Sequence, residues 1–381
     1  MNKLIVGPLR QSAISTVIVI DALDECEAEE PVSAILDILG YLVPQIPRVK
    51  FLLTSRPQPR IRQGFPPPLL AEATVFLALH EVEPSQTYND IRLFFRHNFS
   101  KLADRRGGLD NWPTKELLNL LCERAAGLFI FAVATVKFID HKFRNPREQL
   151  DKILQSPESS VFEGGTLDSL YMTTLLEAFS LNDTRDDHKL RSVLGAAFLA
   201  TTPLSLPSIA MLLGFSNEDV FSILQLASSL LILQYDPHSP VLPFHKSFYD
   251  FVIDSTRCTD ERFHIPPPGY HTELLVGCLK LMNQILEKNM CKLPDAVMNW
   301  EVDDLKDRIK QYLSPALQYA CKSWYKHLID MDTAQRPVIT SALHHFLEKK
   351  FLFWLEVLSV LGVARNAVDA LGVALKWLEV C

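Results

Sequence analysis

The chain has 381 residues, which is long enough for two or three packed domains. Its 48% of hydrophobic and 22% of charged residues are typical of a globular protein and exclude a disordered one. The formal net charge of −7 excludes a strongly basic surface, so nucleic acid is not an expected partner.

The cysteines and the apolar runs indicate a compartment. Seven cysteines without a Cys-x-x-Cys pair predict buried thiols in a reducing environment, in place of a disulfide framework or a zinc site. The N-terminal residues lack the apolar core of a secretory signal. The longest apolar run, Ala125–Val136, is shorter than the roughly 20 residues of a membrane helix. We therefore expect a cytoplasmic protein with no membrane segment.

The first 84 residues alternate strands with a helix. Thr16–Ile20 and Val49–Thr54 are short apolar runs typical of strands buried on both faces. Between them, apolar residues after Pro31 recur at helical spacing, and a third apolar run at Thr74–Leu79 predicts another strand. This order predicts a βαβ unit in a parallel sheet. Since most sheets have about five strands or more, the sheet is expected to be incomplete at its N-terminal side.

From Ser85 onward the apolar residues follow the helical period almost throughout. Two short strands, Leu230–Tyr235 and Val241–Phe244, follow three of the helices, which is the order of a winged helix. The predicted helices are, in chain order, Asp90–Phe99, Thr114–Ala126, Phe129–His141, Leu167–Phe179, Leu190–Leu199, Ser208–Leu213, Asn217–Ser229, Tyr270–Leu286, Leu305–Leu313, Ala316–Ile329 and Val338–Leu358.

Polar side chains follow both strands of the predicted βαβ unit. Asp21, Asp24 and Glu25 come after the first strand, and carboxylates at such a strand end hold magnesium and orient water in nucleotide hydrolases. The alternative is an acidic cap that interacts with the dipole of the next helix, and the pattern alone does not decide. The second strand ends in Thr54-Ser55-Arg56, which would bring Arg56 to the same edge and within reach of a γ-phosphate. Taken alone, such an arginine is more often a solvated loop residue.

Together the two strands resemble the Walker B and sensor 1 segments of the NACHT family, especially its fungal nephrocystin-3-like members of the NOD-like receptor type. The resemblance continues along nearly the whole chain. Ala125–Ala132 is similar to the family segment beside the adenine, which implies adenine-proximal positions for Gly127 and Phe129, although many relatives have proline at the position of Phe129. Leu242–Phe251 is similar to the motif whose histidine touches the β-phosphate of ADP, and His245 is the matching residue. The alternative is that His245 only caps the following helix.

The resemblance implies a fold of the α/β plus all-α class. A partial parallel P-loop-type sheet is expected at residues 1–84, a helical domain at 85–160, a winged helix at 165–266 and a further helical domain at 267–381. ATP or ADP with Mg²⁺ would be the cofactors of full-length relatives, with Asp21 holding the metal through water. The implied function is cytoplasmic signal transduction, as in innate immunity or heterokaryon incompatibility, through protein partners or self-association. In relatives, repeat domains act as the sensor.

The sequence departs from the family at the phosphate-binding loop. A Walker A loop needs glycines followed by Lys and Ser or Thr, but no Gly-Lys dipeptide occurs in the chain and the first predicted strand already begins at Thr16. We therefore expect weak or no nucleotide binding and no ATP hydrolysis by this chain. Two hypotheses remain: a fragment of a nucleotide-switched signalling NTPase, or a non-catalytic truncated scaffold or decoy that binds full-length relatives.

Other sites are less well supported by the sequence. The helix Asn217–Ser229 has two acidic residues and neither Lys nor Arg, so it is not expected to contact DNA phosphates. Cys321 and His327 are interpreted as a core and a surface residue and not as a catalytic pair. His344-His345 and Glu348 have apolar neighbours at helical spacing, which predicts an ordinary helix face in place of a metal site.

Overall fold

The structure, a computed structural model, describes a defined set of residues that belong to two units, Met1–Glu83 and Pro84–Cys381. The finer division at residues 160, 165 and 266 stays a prediction. No helix within the described ranges is both long and apolar enough to cross a membrane. The described residues are 15–26, 29–46, 48–56, 74–75, 77, 83–109, 111–141, 144–155, 165–179, 187–234, 236–294 and 298–379.

The first unit contains the predicted βαβ arrangement. Strand β1 spans Thr16–Ile20, helix α1 spans Glu29–Leu42 and strand β2 spans Val49–Leu53. The two strands pair in parallel, with Thr16 opposite Val49 and Ile20 opposite Leu53. Because both strands run the same way, their carboxyl ends meet at one edge, where Asp21 and Thr54 follow. The parallel pairing predicted from the sequence is confirmed.

One face of this strand pair is buried and the other is exposed. Side chains alternate along a strand, and the residues of one face pack against α1 in clusters around Leu36 and Ile46. On the opposite face Val17, Val19 and Leu52 are 63%, 58% and 55% exposed. The prediction that these strands are buried on both faces is therefore wrong, because the clusters with α1 cover one face and Val17, Val19 and Leu52 are exposed on the other.

The third predicted strand, Thr74–Leu79, lies mostly outside the described residues. Thr74, Val75 and Leu77 are described, and all three are irregular in structure. Val75 and Leu77 are exposed. The described part of this run therefore does not contain the predicted strand.

Among its described residues, the second unit is mainly helical, with one short hairpin and an isolated β-bridge between Ser205 and Pro240. Every helix predicted in this part of the sequence overlaps an observed one. The helices are α2 Pro84–Arg106, α3 Lys115–Ala125, α4 Phe129–Ile139, α5 Pro146–Gln155, α6 Gly165–Phe179, α7 Asp187–Leu199, α8 Leu206–Leu213, α9 Asn217–Leu226, α10 Lys246–Ile253, α11 Pro267–Ile285, α12 Leu305–Tyr312, α13 Pro315–Asp330, α14 Arg336–Lys349, α15 Phe351–Val360 and α16 Asn366–Glu379.

The hairpin lies between α9 and α10. Strands β3 (Leu231–Ile232) and β4 (Leu242–Pro243) pair antiparallel, with Leu231 opposite Pro243. Each strand is two residues long and therefore shorter than predicted. Helices α7, α8 and α9 precede the hairpin, so the order of elements agrees with the predicted one, while the winged helix itself stays a prediction.

The prediction of a single long helix at Val338–Leu358 is wrong. The structure has two helices, α14 and α15, which are separated at Lys350. The backbone of Lys350 leaves the helical region at φ −120°, and its amine donates a hydrogen bond to the Leu286 carbonyl over 2.7 Å. Apolar residues continue at helical spacing across this break, so their periodicity could not reveal it. Helices α5 and α16 are also absent from the predictions made from the sequence.

A continuous hydrophobic core runs through the second unit. Trp324, Phe346 and Trp354 are fully buried and meet edge to face, with ring centroids 5.5 to 6.1 Å apart. The indole Nε1 of Trp354 donates to the Cys321 carbonyl over 2.9 Å, which satisfies its polar group inside the core. Cys321 is itself fully buried, as predicted.

Candidate functional site

The predicted site residues fall in both units. Asp21, Asp24, Glu25 and Arg56 belong to the first unit, whereas the second unit contains the other three. Those three are Gly127, Phe129 and His245.

Thr54 links the ends of the two strands in the first unit. Its backbone N–H donates to the Ile20 carbonyl over 3.0 Å, and its own carbonyl accepts from the N–H of Leu23 over 2.9 Å. The Thr54 hydroxyl donates to the Asp21 carboxylate and accepts from the N–H of Ala22 over 2.8 Å. Ala22 has a left-handed backbone with φ 54°, which turns the chain from β1 into the short 3₁₀ helix Leu23–Glu25. The carboxylate of Asp21 is thus tied to the neighbouring strand end.

Asp24 is buried and paired with Arg56. Its Oδ1 accepts the backbone N–H of Arg56 over 3.1 Å and the Ser55 hydroxyl over 3.4 Å. Its Oδ2 lies 3.5 Å from Nε of the half-exposed Arg56 side chain. The sequence prediction that Arg56 reaches this edge of the sheet is therefore correct in position. The structure pairs Arg56 with a carboxylate, and its phosphate contact stays a prediction. The side chain of Glu25 lies outside the described part of the structure.

The first unit offers limited means to hold a metal ion. Among the described residues there is no group of three or more His, Cys, Asp and Glu side chains that could hold one. Mg²⁺, however, commonly binds through one or two carboxylates and keeps several of its waters. The single carboxylate of Asp21 at the strand edge fits that mode of binding, in agreement with the water-mediated contact implied by the family resemblance.

His245 caps helix α10. Its Nδ1 accepts the backbone N–H of Ser247 over 3.1 Å and lies 2.7 Å from the Ser247 hydroxyl. The Ser247 hydroxyl is in turn 2.8 Å from the hydroxyl of Tyr171 on α6. The capping role that the sequence left open is therefore present in the structure. Ser247 and Tyr171 are not among the site residues predicted from the sequence, although a serine two residues after a candidate capping residue is a recognisable signal.

Lys137 connects α4 with the segment before His245. Its amine lies 3.6 Å from the centre of the Phe244 ring, which is a favourable cation–π distance. Partial burial lowers the pKa of Lys137 because it removes water from the charged amine. The residue immediately before His245 is thus held against α4.

Gly127 and Phe129 lie at the junction of α3 and α4. Ala126 and Gly127 both have left-handed backbones, with φ 46° and 80°, and they end α3. Phe129 starts α4 and is 43% exposed. Its ring packs edge to face against Phe94, with the two ring centroids 5.1 Å apart. A left-handed residue is strained unless it is glycine, which accounts for Gly127 at this turn without a ligand. The contact with adenine stays a prediction.

The prediction that His327 is a surface residue is wrong. Its side chain is fully buried, with Nε2 2.6 Å from the Tyr319 hydroxyl and Nδ1 2.9 Å from Nδ1 of His271. Burial lowers the pKa of His327 to about 3 because it disfavours the charged ring, and the neighbouring His271 adds to the shift. His327 lies three residues after the buried Trp324, which places it on the core face of α13. A histidine at such a position is ambiguous from sequence because its ring is both apolar and polar.

Two comparisons with known proteins bear on this arrangement. The family model described as nephrocystin 3, N-terminal, matches residues 1–56, which include β1, α1, β2 and the predicted site residues of the first unit. The chain is 24% identical over 379 residues to the vegetative incompatibility protein HET-E-1 of Podospora anserina. The alignment covers 93% of this chain and 26% of that protein, so the chain spans about a quarter of the relative's length. No solved structure matches the chain.

These matches confirm the resemblance predicted from the sequence. The chain is similar to proteins of the NACHT-type signalling and incompatibility class, and residues 1–56 resemble the nephrocystin 3 N-terminal segment. The relative that the chain resembles along most of its length is the fungal incompatibility protein HET-E-1.

Proposed function

We propose that this chain is part of a nucleotide-switched NACHT-type signalling protein. The observation that carries the proposal is the linked polar edge of the first unit, where Asp21 and Asp24 follow one parallel strand and Thr54 and Arg56 follow the other. Ligands of α/β proteins bind outside the carboxyl ends of parallel strands, and that is where these side chains lie. The family match covers the same residues.

Each group at this edge has a distinct proposed role. Asp21 holds Mg²⁺ through water, and its bond from the Thr54 hydroxyl fixes the direction of its carboxylate. Asp24 and Glu25 are the proposed acidic partners of the metal-bound water. Arg56 neutralises the buried Asp24 until a phosphate competes for its guanidinium. In this proposal the Asp24–Arg56 pair is a contact that loosens when nucleotide binds.

The second unit contributes its own nucleotide-facing groups. His245 is the proposed β-phosphate contact, and Gly127 and Phe129 are the proposed adenine-side residues. His245 caps helix α10, which is anchored by the fully buried Phe248 and Phe251, so in this proposal a change at the ring affects that helix. The switch that we propose is binding and release of ADP or ATP, and it does not require this chain to hydrolyse ATP.

The proposed output is incompatibility-type signalling in the cytoplasm through protein partners or self-association. The similarity of the chain to HET-E-1, a vegetative incompatibility protein, supports a role of this kind. The other hypothesis, a non-catalytic scaffold or decoy that binds longer relatives, makes no use of nucleotide. The two hypotheses therefore differ in whether ADP changes the protein.

Hydrogen exchange of the full chain with and without millimolar Mg-ADP tests the proposal. We expect slower exchange in two separate segments, residues 16–26 and 243–251. The Asp21→Asn variant should lose the magnesium-dependent part of the protection in the first segment. Asp37→Asn is the matched control, since Asp37 is an exposed carboxylate on α1 of the same unit. Unchanged exchange in both segments at millimolar Mg-ADP would contradict nucleotide switching and favour the scaffold hypothesis.

A further inference from the structure

The cap of helix α10 fixes the proton position on the ring of His245. A backbone N–H can only donate a hydrogen bond, and the N–H of Ser247 points at Nδ1 of His245 over 3.1 Å. Nδ1 must therefore be the unprotonated, accepting nitrogen. In a neutral imidazole the proton is then on Nε2, because the hydrogen bond made by one nitrogen sets the state of the other.

The hydrogen bonds of the Ser247 hydroxyl also have a defined direction. The hydroxyl lies 2.7 Å from the same Nδ1, and a nitrogen without a proton can only accept, so Ser247 must donate. A serine hydroxyl has a single proton, which leaves its oxygen to accept from another donor. The hydroxyl of Tyr171 at 2.8 Å is that donor. The three groups thus form a chain with one direction, from Tyr171 through Ser247 to His245.

Tyr171 is held firmly at the start of this chain. It is fully buried on α6, and its ring packs against Phe248 and Phe251 with centroids 5.2 and 5.6 Å away. Burial raises the pKa of Tyr171 to about 12, so its hydroxyl keeps its proton at neutral pH and remains a donor. Core packing therefore fixes the Tyr171 hydroxyl as a donor. The hydrogen bonds from Tyr171 to Ser247 and from Ser247 to His245 then fix the proton position on the exposed imidazole.

We infer that Ser247, with Tyr171 behind it, is a positioning residue that holds His245 in the Nε2–H tautomer. The ring then presents a hydrogen-bond donor at Nε2, which suits an anionic phosphate oxygen and does not suit a metal ion or a donor group. This inference rests on the proposed function for its ligand, a nucleoside diphosphate, but the tautomer itself is a property of the protein without ligand. A donor whose proton position the protein fixes in advance needs little reorganisation when an anion binds.

Long-range ¹H–¹⁵N spectra of the full chain with ¹⁵N-labelled histidine measure the tautomer directly. The His245 signals are identified by their loss in the His245→Gln variant. In the wild-type chain without nucleotide we expect an unprotonated Nδ1 and a protonated Nε2. In Ser247→Ala the backbone N–H remains, and loss of a hydrogen bond of about 1 kcal/mol should raise the minor Nδ1–H population about five-fold.

Two further variants separate the hydroxyl chain from a general structural role. Ser247→Thr keeps a hydroxyl and should retain the wild-type tautomer, whereas Tyr171→Phe removes the first donor and should fall between wild type and Ser247→Ala. A protonated Nδ1 in the wild-type chain would overturn the inference, and so would a tautomer that is identical in wild type and Ser247→Ala.

Addition of Mg-ADP to the same sample distinguishes the positioning role of Ser247 from the proposed phosphate contact of His245. If the tautomer is Nε2–H and ADP shifts the Nε2 resonance, both the inference and the proposed phosphate contact are supported. If the tautomer is Nε2–H but ADP changes nothing, the proposed contact fails while the positioning role of Ser247 stands.

Discussion

The two units hold their candidate functional residues in different ways. In the first unit the buried hydrophobic residues form two small clusters, one around Leu36 and one around Ile46, and one sheet face is exposed. In the second unit a continuous core contains fully buried aromatic rings such as Trp324 and Trp354. The residues around Asp21 are placed by hydrogen bonds through Thr54, whereas His245 caps a helix whose Phe248 and Phe251 belong to the core.

This difference indicates where each candidate site is sensitive to change. Small clusters bury little apolar area, so the strand edge of the first unit depends on a few polar links of modest energy. The cap at His245 instead depends on the packing of the core in the second unit. Such a core is close-packed, so a change of even one methyl group in it lowers stability. Substitutions in the two units should therefore differ in the size of their effect on stability.

The largest effect is expected from Trp354→Ala in the second unit. This side chain is fully buried, contacts three other aromatic rings and donates to the Cys321 carbonyl. Its removal should lower the free energy of unfolding by about 3–5 kcal/mol, from lost burial and the cavity left behind. Trp300→Ala is the control, since Trp300 is 81% exposed and its loss should change stability by less than about 0.5 kcal/mol. Urea unfolding followed by circular dichroism measures both, and equal effects would contradict a dense core around Trp354.

Two glycine-to-alanine substitutions should have effects of opposite sign. Gly277 lies buried in α11, and an added Cβ would fall against the Leu212 carbonyl on α8, well inside van der Waals contact. Because a backbone atom cannot rotate away, Gly277→Ala should destabilise the protein by about 3 kcal/mol. Gly372 in α16 is exposed, with nothing near its Cβ position, so Gly372→Ala should stabilise by about 0.5–1 kcal/mol. Thermal unfolding of the two variants gives the signs, and a stable Gly277→Ala would disprove the close approach of α11 and α8.

A loss of stability in acid is expected from the buried His327 and its half-buried partner His271. The pKa of His327 falls from its ordinary value of 6.5 to about 3, so the folded chain binds fewer protons than the unfolded chain between these values. The contribution of His327 to stability is fully present above the pKa of the histidine in the unfolded chain. It is lost progressively as the pH falls below that pKa. His271 faces the ring with a pKa also lowered by burial, Asp330 opposes that shift, and Lys326 adds to the shift of His327.

The expected loss for His327 alone is about 2 kcal/mol between a pH of about 7 and about 5. Urea midpoints at the two pH values measure it in the wild-type chain and in His327→Gln, which keeps polar atoms beside Tyr319 but does not titrate. The variant should lose most of this pH dependence. If the wild-type chain and the variant show the same pH dependence of stability, groups other than His327 are responsible for it.

The sequence could predict the elements that follow from periodicity. The parallel strand pair and most helices of the second unit, α5 and α16 excepted, are predictable because apolar spacing distinguishes strand from helix. The break at Lys350 could not be predicted, since the apolar pattern continues through it and the bond from Lys350 to Leu286 joins residues distant in the chain. The exposure of Val17 and Val19 was also hidden, because apolar composition does not tell which faces other elements cover.

The candidate site was predictable to a similar degree. The positions of Asp21, Asp24 and Arg56 at one sheet edge followed from parallel pairing, and the structure places Arg56 beside Asp24. The hydrogen-bond chain from Tyr171 to His245 was not predictable, because its members are 76 residues apart in sequence at the Tyr171–Ser247 contact. Burial of His327 likewise depends on the packing of α11 against α13, which no local pattern encodes.

The smallest effect is expected from Thr54→Val in the first unit, and it bears most directly on the proposed site. The hydroxyl of Thr54 contacts Asp21 and the N–H of Ala22, and valine keeps the shape but removes both bonds. Because these groups are exposed to water, the loss should be only about 1 kcal/mol, seen as faster amide exchange at Ala22 and Leu23. Val19→Thr, the reverse change on the exposed face of β1, should alter exchange by less than about 0.5 kcal/mol. If the two variants behave alike, Thr54 does not organise this edge, and the carboxylate of Asp21 is not fixed in the direction that magnesium binding would use.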